Sequence, residues 1–386
     1  MELSHVDIIE TNNGVIEVNL TPDNIPGIVC SGAATAEMPL LTPKVIYSLE
    51  GLDALGITVD NNPRLYREVT EFYDEVGTGA ELWIMTIVNT VTQTNMCDKT
   101  NNYAKKLINT ADGRIRYFGV CFQPSGGYTP TITNGLDAEV YTAITKAQAL
   151  CEEFADTYKN PIHAFLDGRG FSGDETELTS LRTLTDDRVS VVLFGSQNDK
   201  SNSVGAWLGR LSSIPVQRKA SRTLDGALKL STAYAGAVEI KNYAGVDLIH
   251  AKGYITLRKF PSRAGFYLTG DPVAAAKSAK VSCVTDRRLF DKIRRIADEI
   301  YFFKLDDEIE MQGGKIAPGV LKSWESEIET NVKFLMAGEL NDFEAYIDPN
   351  QNVVLTEKVK VKLIPDKKAY SHFIEVELAF KKTLTV

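Results

Sequence analysis

One glycine-rich segment has the spacing of a nucleotide-binding loop. Residues Gly168–Gly173 read Gly-Arg-Gly-Phe-Ser-Gly, after an apolar run and before an expected helix. In dinucleotide-binding proteins, such a loop brings a helix N-terminus to a pyrophosphate. Here Asp167 and Asp174 flank the glycines, and no acidic residue closes the next apolar run, which ends at Phe194. We favour a surface loop, because these carboxylates would repel a pyrophosphate. The alternative is a nucleotide-cofactor-binding α/β enzyme that uses this loop.

Histidine and cysteine are not spaced for metal binding or nucleophilic catalysis. The four histidines are far apart in the sequence, and His163 lies in an apolar run where a core position is expected. The five cysteines form no Cys-x-x-Cys pair, as expected for buried free thiols in a reducing compartment. The chain also has no Gly-x-x-x-x-Gly-Lys loop and no Gly-x-Ser-x-Gly elbow. We therefore expect no enzyme, no cofactor and no bound metal.

The most distinctive charged segment is residues 285–296, Thr-Asp-Arg-Arg-Leu-Phe-Asp-Lys-Ile-Arg-Arg-Ile. Its period predicts a helix from Asp286 to about Phe303, with a buried stripe of Leu289, Ile293, Ile296 and Ile300. Arg287 and Arg294 alternate with aspartates along one flank, which neutralises that flank. Arg288, Lys292 and Arg295 remain as a positive ridge. The ridge is either a solvated face or a docking surface for an acidic partner.

Composition narrows the class of protein that must position these residues. The chain has 386 residues, 44% of them hydrophobic, and a net charge of −9. That charge argues against a nucleic-acid partner, because phosphate contacts need a basic surface. The sequence shows neither a signal peptide nor an apolar run of transmembrane length, so we expect synthesis in the cytoplasm and no membrane partner.

Residues 27–230 have the pattern of a layered α/β domain. Four nearly continuous apolar runs are typical of strands that are covered on both faces. They occur at Leu82–Val88, Ile115–Phe122, Ile162–Leu166 and Val189–Phe194. Helical periods lie between them, over residues 65–76 and 144–158. This alternation of strands and helices indicates an α/β fold.

Residues 231–386 have an α+β pattern that closes with two alternating segments. Strands are expected at Ala251–Leu257 and Ala264–Thr269, and a second helix at Val320–Met336. The lysines around Val359–Leu363 alternate with apolar residues, and Glu375 and Glu377 do so in the last segment. Opposite charges suit neighbouring strands. The two segments could form a hairpin, or the last could join a neighbouring subunit.

A lone strand precedes the α/β domain. Ile16, Val18 and Leu20 point to one face of the segment Gly14–Leu20, which has no hairpin partner nearby. Its backbone hydrogen bonds must therefore go to a distant segment or to another chain.

The order of these segments resembles the contractile tail sheath family of phages and related injection machines. Each matching motif is degenerate, and their shared order supports the resemblance. The matches are Pro43–Gly56, Leu65–Tyr73 with Gly77–Met85, Val204–Leu211 with Val216–Ala220, and, in the last third, Arg287–Phe290, Phe334–Leu340 and the terminal strand.

The resemblance implies a non-enzymatic structural subunit in three parts. These are an N-terminal arm with a donated strand (1–26), an α/β sheath domain (27–230), and an α+β C-terminal inner domain (231–386). Such subunits polymerise helically around an inner tube and contract to drive it through a target envelope. The assembled object is a virion tail, a tailocin or another phage tail-like contractile injection system.

The resemblance also implies partners and roles for particular residues. Besides other copies of the chain, the partners are an inner tube with an acidic outer surface, a baseplate and a tail terminator protein. The inter-subunit strands would contain Val15, Ile16, Val18, Leu20, Ile374, Val376, Leu378 and Phe380. The tube-facing residues would be Arg287, Arg288, Lys292, Arg294 and Arg295.

Overall fold

The computed structural model describes residues 22–378, in two compact units. The first unit ends at Asp306 and the second begins at Asp307. The boundary expected near residue 230 thus lies inside the first unit. The division into arm, sheath domain and inner domain stays a prediction.

The first unit alternates strands and helices along the chain. Its strands are β1 Pro26–Ser31, β2 Lys44–Ile46, β3 Leu82–Ile87, β4 Tyr117–Cys121, β5 Ile132–Thr133, β6 Leu136–Asp137, β7 His163–Asp167, β8 Thr185–Asp186, β9 Val189–Val192, β10 Tyr234–Ala235, β11 Val238–Glu239, β12 Leu257–Arg258, β13 Tyr267–Leu268 and β14 Ala274–Ala275. Its α-helices are α1 Leu49–Ala54, α2 Pro63–Val76, α3 Gln93–Cys97, α4 Ala104–Thr110, α5 Ala138–Asp156, α6 Val204–Ser212, α7 Val246–Ala251 and α8 Val284–Phe302.

A six-stranded sheet in the order β2-β3-β1-β4-β7-β9 forms the centre of the first unit. Strands β3, β1, β4, β7 and β9 are parallel, whereas β2 runs antiparallel at the edge. Every residue of β1, β4, β7 and β9 is buried. This agrees with the α/β class predicted from the continuous apolar runs, because parallel sheets are covered on both faces.

Most elements predicted for the first unit are confirmed. The four apolar runs form β3, β4, β7 and β9, and the two helical periods form α2 and α5. Helix α8 covers the predicted span and buries the predicted stripe. The strand expected at Ala251–Leu257 is wrong, because α7 extends to Ala251 and only Leu257 joins a strand.

The central strand β1 was not predicted, because Pro26-Gly27 was interpreted as the end of the N-terminal arm. Proline is tolerated at the first residue of a strand, where its missing N–H costs least. Gly27 suits a tightly packed position, since a Cβ there would lie 3.0 Å from terminal side-chain atoms of Ile115 and Leu107. Both residues therefore begin the strand instead of ending a segment.

The second unit is a helix packed on an antiparallel hairpin. Its elements are β15 Met311–Gln312, β16 Lys315–Ile316, α9 Pro318–Leu335, β17 Leu340–Ile347, α10 Val353–Thr356 and β18 Val361–Lys367. Strand β18 pairs with β17, with Ala345 opposite Leu363. Within the described residues, β18 forms no hairpin with the last segment of its own chain. Residues 371–378 have no regular secondary structure.

Candidate functional site

The loop Gly168–Gly173 does not form a dinucleotide site. It continues through turns to a short 3-10 helix at Leu181–Thr183, so the helix N-terminus that a pyrophosphate needs does not follow it. The Gly168 N–H donates to the Val192 carbonyl, and a Cβ on Gly168 would lie 2.7 Å from that oxygen. Gly168 is thus needed for close packing, and Gly170 and Gly173 adopt positive φ in the turns that follow. The nucleotide-binding alternative gains no support.

A cleft of about 530 Å³ lies at the carboxyl ends of the parallel strands, where α/β proteins often bind ligands. The charged groups there bond to one another. Arg64 contacts Glu68 at 3.0 Å and Asp167 at 3.1 Å, and Arg67 contacts Asp199 at 3.4 Å. Arg64, Glu68 and Asp167 are all buried. Such a network fixes α2 against the sheet edge.

Burial raises the pKa of Glu71, on the same helix, to about 7, and the neighbouring Glu68 carboxylate adds to this shift. Glu71 accepts a hydrogen bond from the Ser196 hydroxyl at 2.5 Å.

The basic residues of α8 are largely buried in the first unit. Arg288 is 7% exposed and Lys292 is 6% exposed, and the Arg287 and Arg295 side chains are 12% and 10% exposed. Only Arg294 keeps a larger exposed fraction, 37% of its side chain. Arg288, Lys292 and Arg295 therefore do not form the exposed positive ridge that was predicted. The tube-facing role of the five residues stays a prediction.

Two of these cations bind a single carboxylate near the start of the described chain. Lys292 Nζ lies 2.9 Å from Asp23 Oδ2, and the Arg295 guanidinium contacts the other oxygen. Arg288 donates to Asn24 Oδ1 at 2.8 Å and to the Ile214 carbonyl at 3.0 Å. Helix α8 thus holds the segment that leads into β1.

The other flank of α8 is bonded in a similar way. Asp291 accepts from both Arg188 and Arg287, at 3.2 and 3.0 Å, and Arg294 contacts Asp156 at 2.9 Å. A cavity of about 20 Å³, large enough for one water molecule, lies between this flank and His163. Burial, reinforced by Arg188 and Arg287, lowers the pKa of His163 well below its usual value, so the imidazole is neutral.

In the second unit, glutamates of α9 close one edge of the hairpin. The Ala345 N–H donates to Glu329 Oε1 and the Ile347 N–H donates to Glu325 Oε1, both at 2.8 Å. These N–H groups therefore point away from β18. Charged side chains at a sheet edge prevent a further strand from pairing there.

The alternating pairing of β17 and β18 also determines which backbone groups of β18 point outward, at the other edge of the hairpin. In an antiparallel pair, residues opposite each other point their backbone groups the same way, towards or away from the partner strand. Val361 is opposite Ile347 and Leu363 is opposite Ala345. The backbone groups of Val361 and Leu363 consequently point outward, away from β17.

The last described segment exposes a set of apolar side chains. Phe373 is 96% exposed, Ile374 81%, Val376 71% and Leu378 93%. They alternate with the exposed Glu375 and Glu377. A β-like pattern of apolar residues that is unburied within its own chain is typical of a segment that is covered by another molecule.

Comparison with known proteins places this chain in a family. A model described as the DUF2586 N-terminal domain matches residues 3–271. The chain belongs to the DUF2586 family. No curated protein matches it.

Solved structures similar to this DUF2586 protein are contractile sheath proteins. The contracted sheath complex of an extracellular contractile injection system, PVC, matches with a TM-score of 0.65 at 15% identity, over 98% of both chains. The contracted helical sheath of the anti-feeding prophage matches with a TM-score of 0.65 at 13% identity, over 98% of this chain and 99% of that one. A sheath tail protein from Desulfitobacterium hafniense has a TM-score of 0.53 at 9% identity, over 94% of this chain and 100% of that one. The predicted resemblance to contractile tail sheath proteins is confirmed at the level of the fold.

The remaining expectations concern cysteines, metals and membranes. Cys30, Cys97, Cys121 and Cys151 are buried free thiols, and Cys283 is partly buried. Within residues 22–378, no three His, Cys, Asp or Glu side chains converge as a metal site would require. Among the helices of that range, none combines the length and apolar character needed to cross a bilayer.

Several residues of these interfaces were missed by sequence reasoning. Asp23 and Asn24 were included in the predicted N-terminal arm (1–26) without a role, and Glu325 and Glu329 were not singled out. The spacing of four between the two glutamates was a visible signal, because it puts both on one side of α9. The predicted strand residues Val15, Ile16, Val18, Leu20 and Phe380 lie outside the described residues. Ile374, Val376 and Leu378 are described but do not form a strand.

Proposed function

We propose that this DUF2586 protein is the structural subunit of a contractile sheath. Many copies would form a helical polymer around an inner tube and contract to drive it through a target envelope. Support comes from the fold, which matches sheath proteins of contractile injection systems over nearly the whole chain. The charged cleft supports a structural role more than a catalytic one, because its buried groups are mutually paired.

The observation on which this proposal mainly rests is the exposed alternating segment Phe373–Leu378. We infer that it leaves its own subunit and adds a strand to β18 of a second copy, by β-augmentation. The β17 edge is closed by Glu325 and Glu329, so β18 is the edge that can accept a strand. The predicted N-terminal strand would be exchanged between copies in the same manner.

Both faces of the proposed pairing are complementary. On β18 and the residues before it, Lys358, Lys360 and Lys362 are exposed, whereas Val359, Val361 and Leu363 are half-buried. The donated segment has Glu375 and Glu377 on one face and Ile374, Val376 and Leu378 on the other. Strand addition would therefore bring glutamates beside lysines while it extends the apolar face.

The polymer would have an inner tube, a baseplate and a terminator as partners, as sheath-like assembly requires. One of the solved matches is itself from a baseplate, that of the anti-feeding prophage, with a TM-score of 0.64. The tube contact does not depend on Arg288 or Lys292 in this proposal, because both side chains are engaged within the first unit.

Electron microscopy of the purified protein, alone and with its tube protein, tests the proposal. We expect long hollow cylinders from the wild type. Deletion of residues 371–386, or of residues 1–20, should give a folded particle of monomer size that forms no cylinders. Discrete small particles from the wild type at all concentrations would contradict the sheath function. Cylinders from both deletion variants would contradict strand exchange.

A further inference from the structure

Four cations surround the root of the predicted N-terminal arm in the first unit. We call Arg116, Arg288, Lys292 and Arg295 the root cluster. It holds the carboxylate of Asp23 and the amide oxygen of Asn24. Arg116 Nε also donates to the Pro22 carbonyl at 3.3 Å. Three consecutive residues, Pro22, Asp23 and Asn24, are thus each bonded to a cation of the body.

The root cluster requires a carboxylate at this place. Arg116, Arg288 and Lys292 are each no more than 7% exposed. Burial and the neighbouring Arg295 guanidinium lower the pKa of Arg116, whereas Asp23 and, less strongly, Asp291 oppose that shift. Buried cations that crowd one another are tolerated only where an anion is shared among them. Asp23 supplies that anion to Lys292 and Arg295.

The position of Asp23 links this cluster to the sheet. Only Asn24 and Ile25 separate it from β1, the strand that pairs with both β3 and β4. The Arg116 N–H donates to the Ile25 carbonyl at 2.9 Å, which continues the β1–β4 ladder towards the arm. A pull on the arm would therefore reach the root cluster and α8 before it reaches the central strand.

We propose that the root cluster is an anchor that fixes the N-terminal arm to the subunit body through the Asp23 carboxylate. This assigns the basic residues of α8 to an attachment within the chain. It rests on the proposed function, in which the arm connects neighbouring subunits. In a contracting sheath, the anchor keeps the arm's exit point and direction constant while the body rotates.

Chemical rescue tests the carboxylate requirement on the full chain. Asp23→Ala should leave a carboxylate-sized hole among cations and lower the melting temperature by about 5 °C. Sodium acetate should restore at least half of that loss, whereas sodium chloride of equal ionic strength should not. Asp60→Ala, which removes an exposed carboxylate from a turn, serves as the control and should melt like the wild type. An Asp23→Ala variant that melts like the wild type would overturn the anchor, as would equal responses to the two salts.

Hydrogen exchange and assembly separate this proposal from the sheath function. In Asp23→Ala, amides of residues 23–25 should exchange at least tenfold faster, while those of β7 remain protected. Cylinders of this variant should be shorter or absent. If the wild type forms no cylinders but the acetate rescue holds, the sheath function fails and the anchor stands. If Asp23→Ala assembles and exchanges like the wild type, the anchor fails and the sheath function stands.

Discussion

Glu71 and Glu325 are both buried carboxylates, yet their surroundings shift their pKa values in opposite directions. For Glu71, burial and the nearby Glu68 carboxylate raise the pKa to about 7. For Glu325, burial alone would raise the pKa, but hydrogen bonds from Lys322 and the Ile347 N–H lower it. The two pKa shifts differ because the two carboxylates have different neighbours. Hydrogen-bond donors that point at a carboxylate favour its charged form. Its hydrogen-bond donors thus favour the anion of Glu325, whereas burial favours the neutral form of Glu71.

Glu71 gives the first unit a pH dependence of defined sign. Its pKa is higher in the folded chain than in the unfolded chain, so the folded state binds the extra proton between about pH 4.5 and 7. The stabilisation that this proton gives to the folded state is complete below pH 4.5 and is lost as the pH rises to 7. We expect Glu71→Gln to stabilise the protein at pH 8, relative to the wild type, by on the order of 2 kcal/mol.

Urea denaturation at pH 5 and pH 8 measures this effect. Glu71→Gln should increase the free energy of unfolding more at pH 8 than at pH 5. Asp53→Asn, which changes an exposed carboxylate on α1, should leave the difference between the two pH values as in the wild type. A Glu71→Gln variant whose stability changes equally at both pH values would contradict the assignment.

At the scale of elements, α9 both packs on the hairpin and closes its edge. Phe343 and Ile347 are buried against the helix, while Glu325 and Glu329 bond the outward N–H groups of β17. Replacement of both glutamates by alanine should leave two N–H groups without these partners, at about 1–3 kcal/mol each for a buried donor. It should also open a second edge for pairing.

We therefore expect Glu325→Ala with Glu329→Ala to lower the melting temperature and to produce irregular aggregates instead of uniform cylinders. Light scattering and electron microscopy measure both outcomes. Ser326→Ala, at an exposed position of the same helix, serves as the control. Uniform cylinders from the double variant would show that the glutamates do not decide which edge pairs.

How far the sequence predicted this architecture depends on the kind of element. Continuous apolar runs and long helical periods identified β3, β4, β7, β9, α5 and α8, because burial on both faces or on one stripe leaves a clear pattern. Strand β1 was missed since Pro26-Gly27 is a local turn signal that tertiary packing overrides. Periodicity separated the buried stripe of α8 from its charged residues, but it could not show that Asp23 covers those charges. Asp23 and Lys292 form an ion pair although 269 positions separate them, and no local sequence pattern indicates such a contact.

At the scale of the whole molecule, every copy of the chain contains both the donated segment and the accepting strand β18. The charges of the lysines and glutamates that would meet can therefore be exchanged within one sequence. Lys360→Glu with Lys362→Glu should place glutamates beside Glu375 and Glu377 of the neighbouring copy. Cross-strand pairs contribute about 0.2–1 kcal/mol each. Reversal of two pairs should raise the protein concentration needed for assembly by roughly 5- to 30-fold. Glu375→Lys with Glu377→Lys should have a similar effect.

The chain with all four substitutions is the decisive variant, because opposite charges again meet in every copy. We expect its assembly concentration, measured by sedimentation and electron microscopy, to return to within about threefold of the wild type. Each lysine and glutamate involved is exposed in the single chain, so the monomer's melting temperature should stay unchanged. A quadruple variant that assembles no better than either double variant would show that the glutamate segment and β18 do not pair.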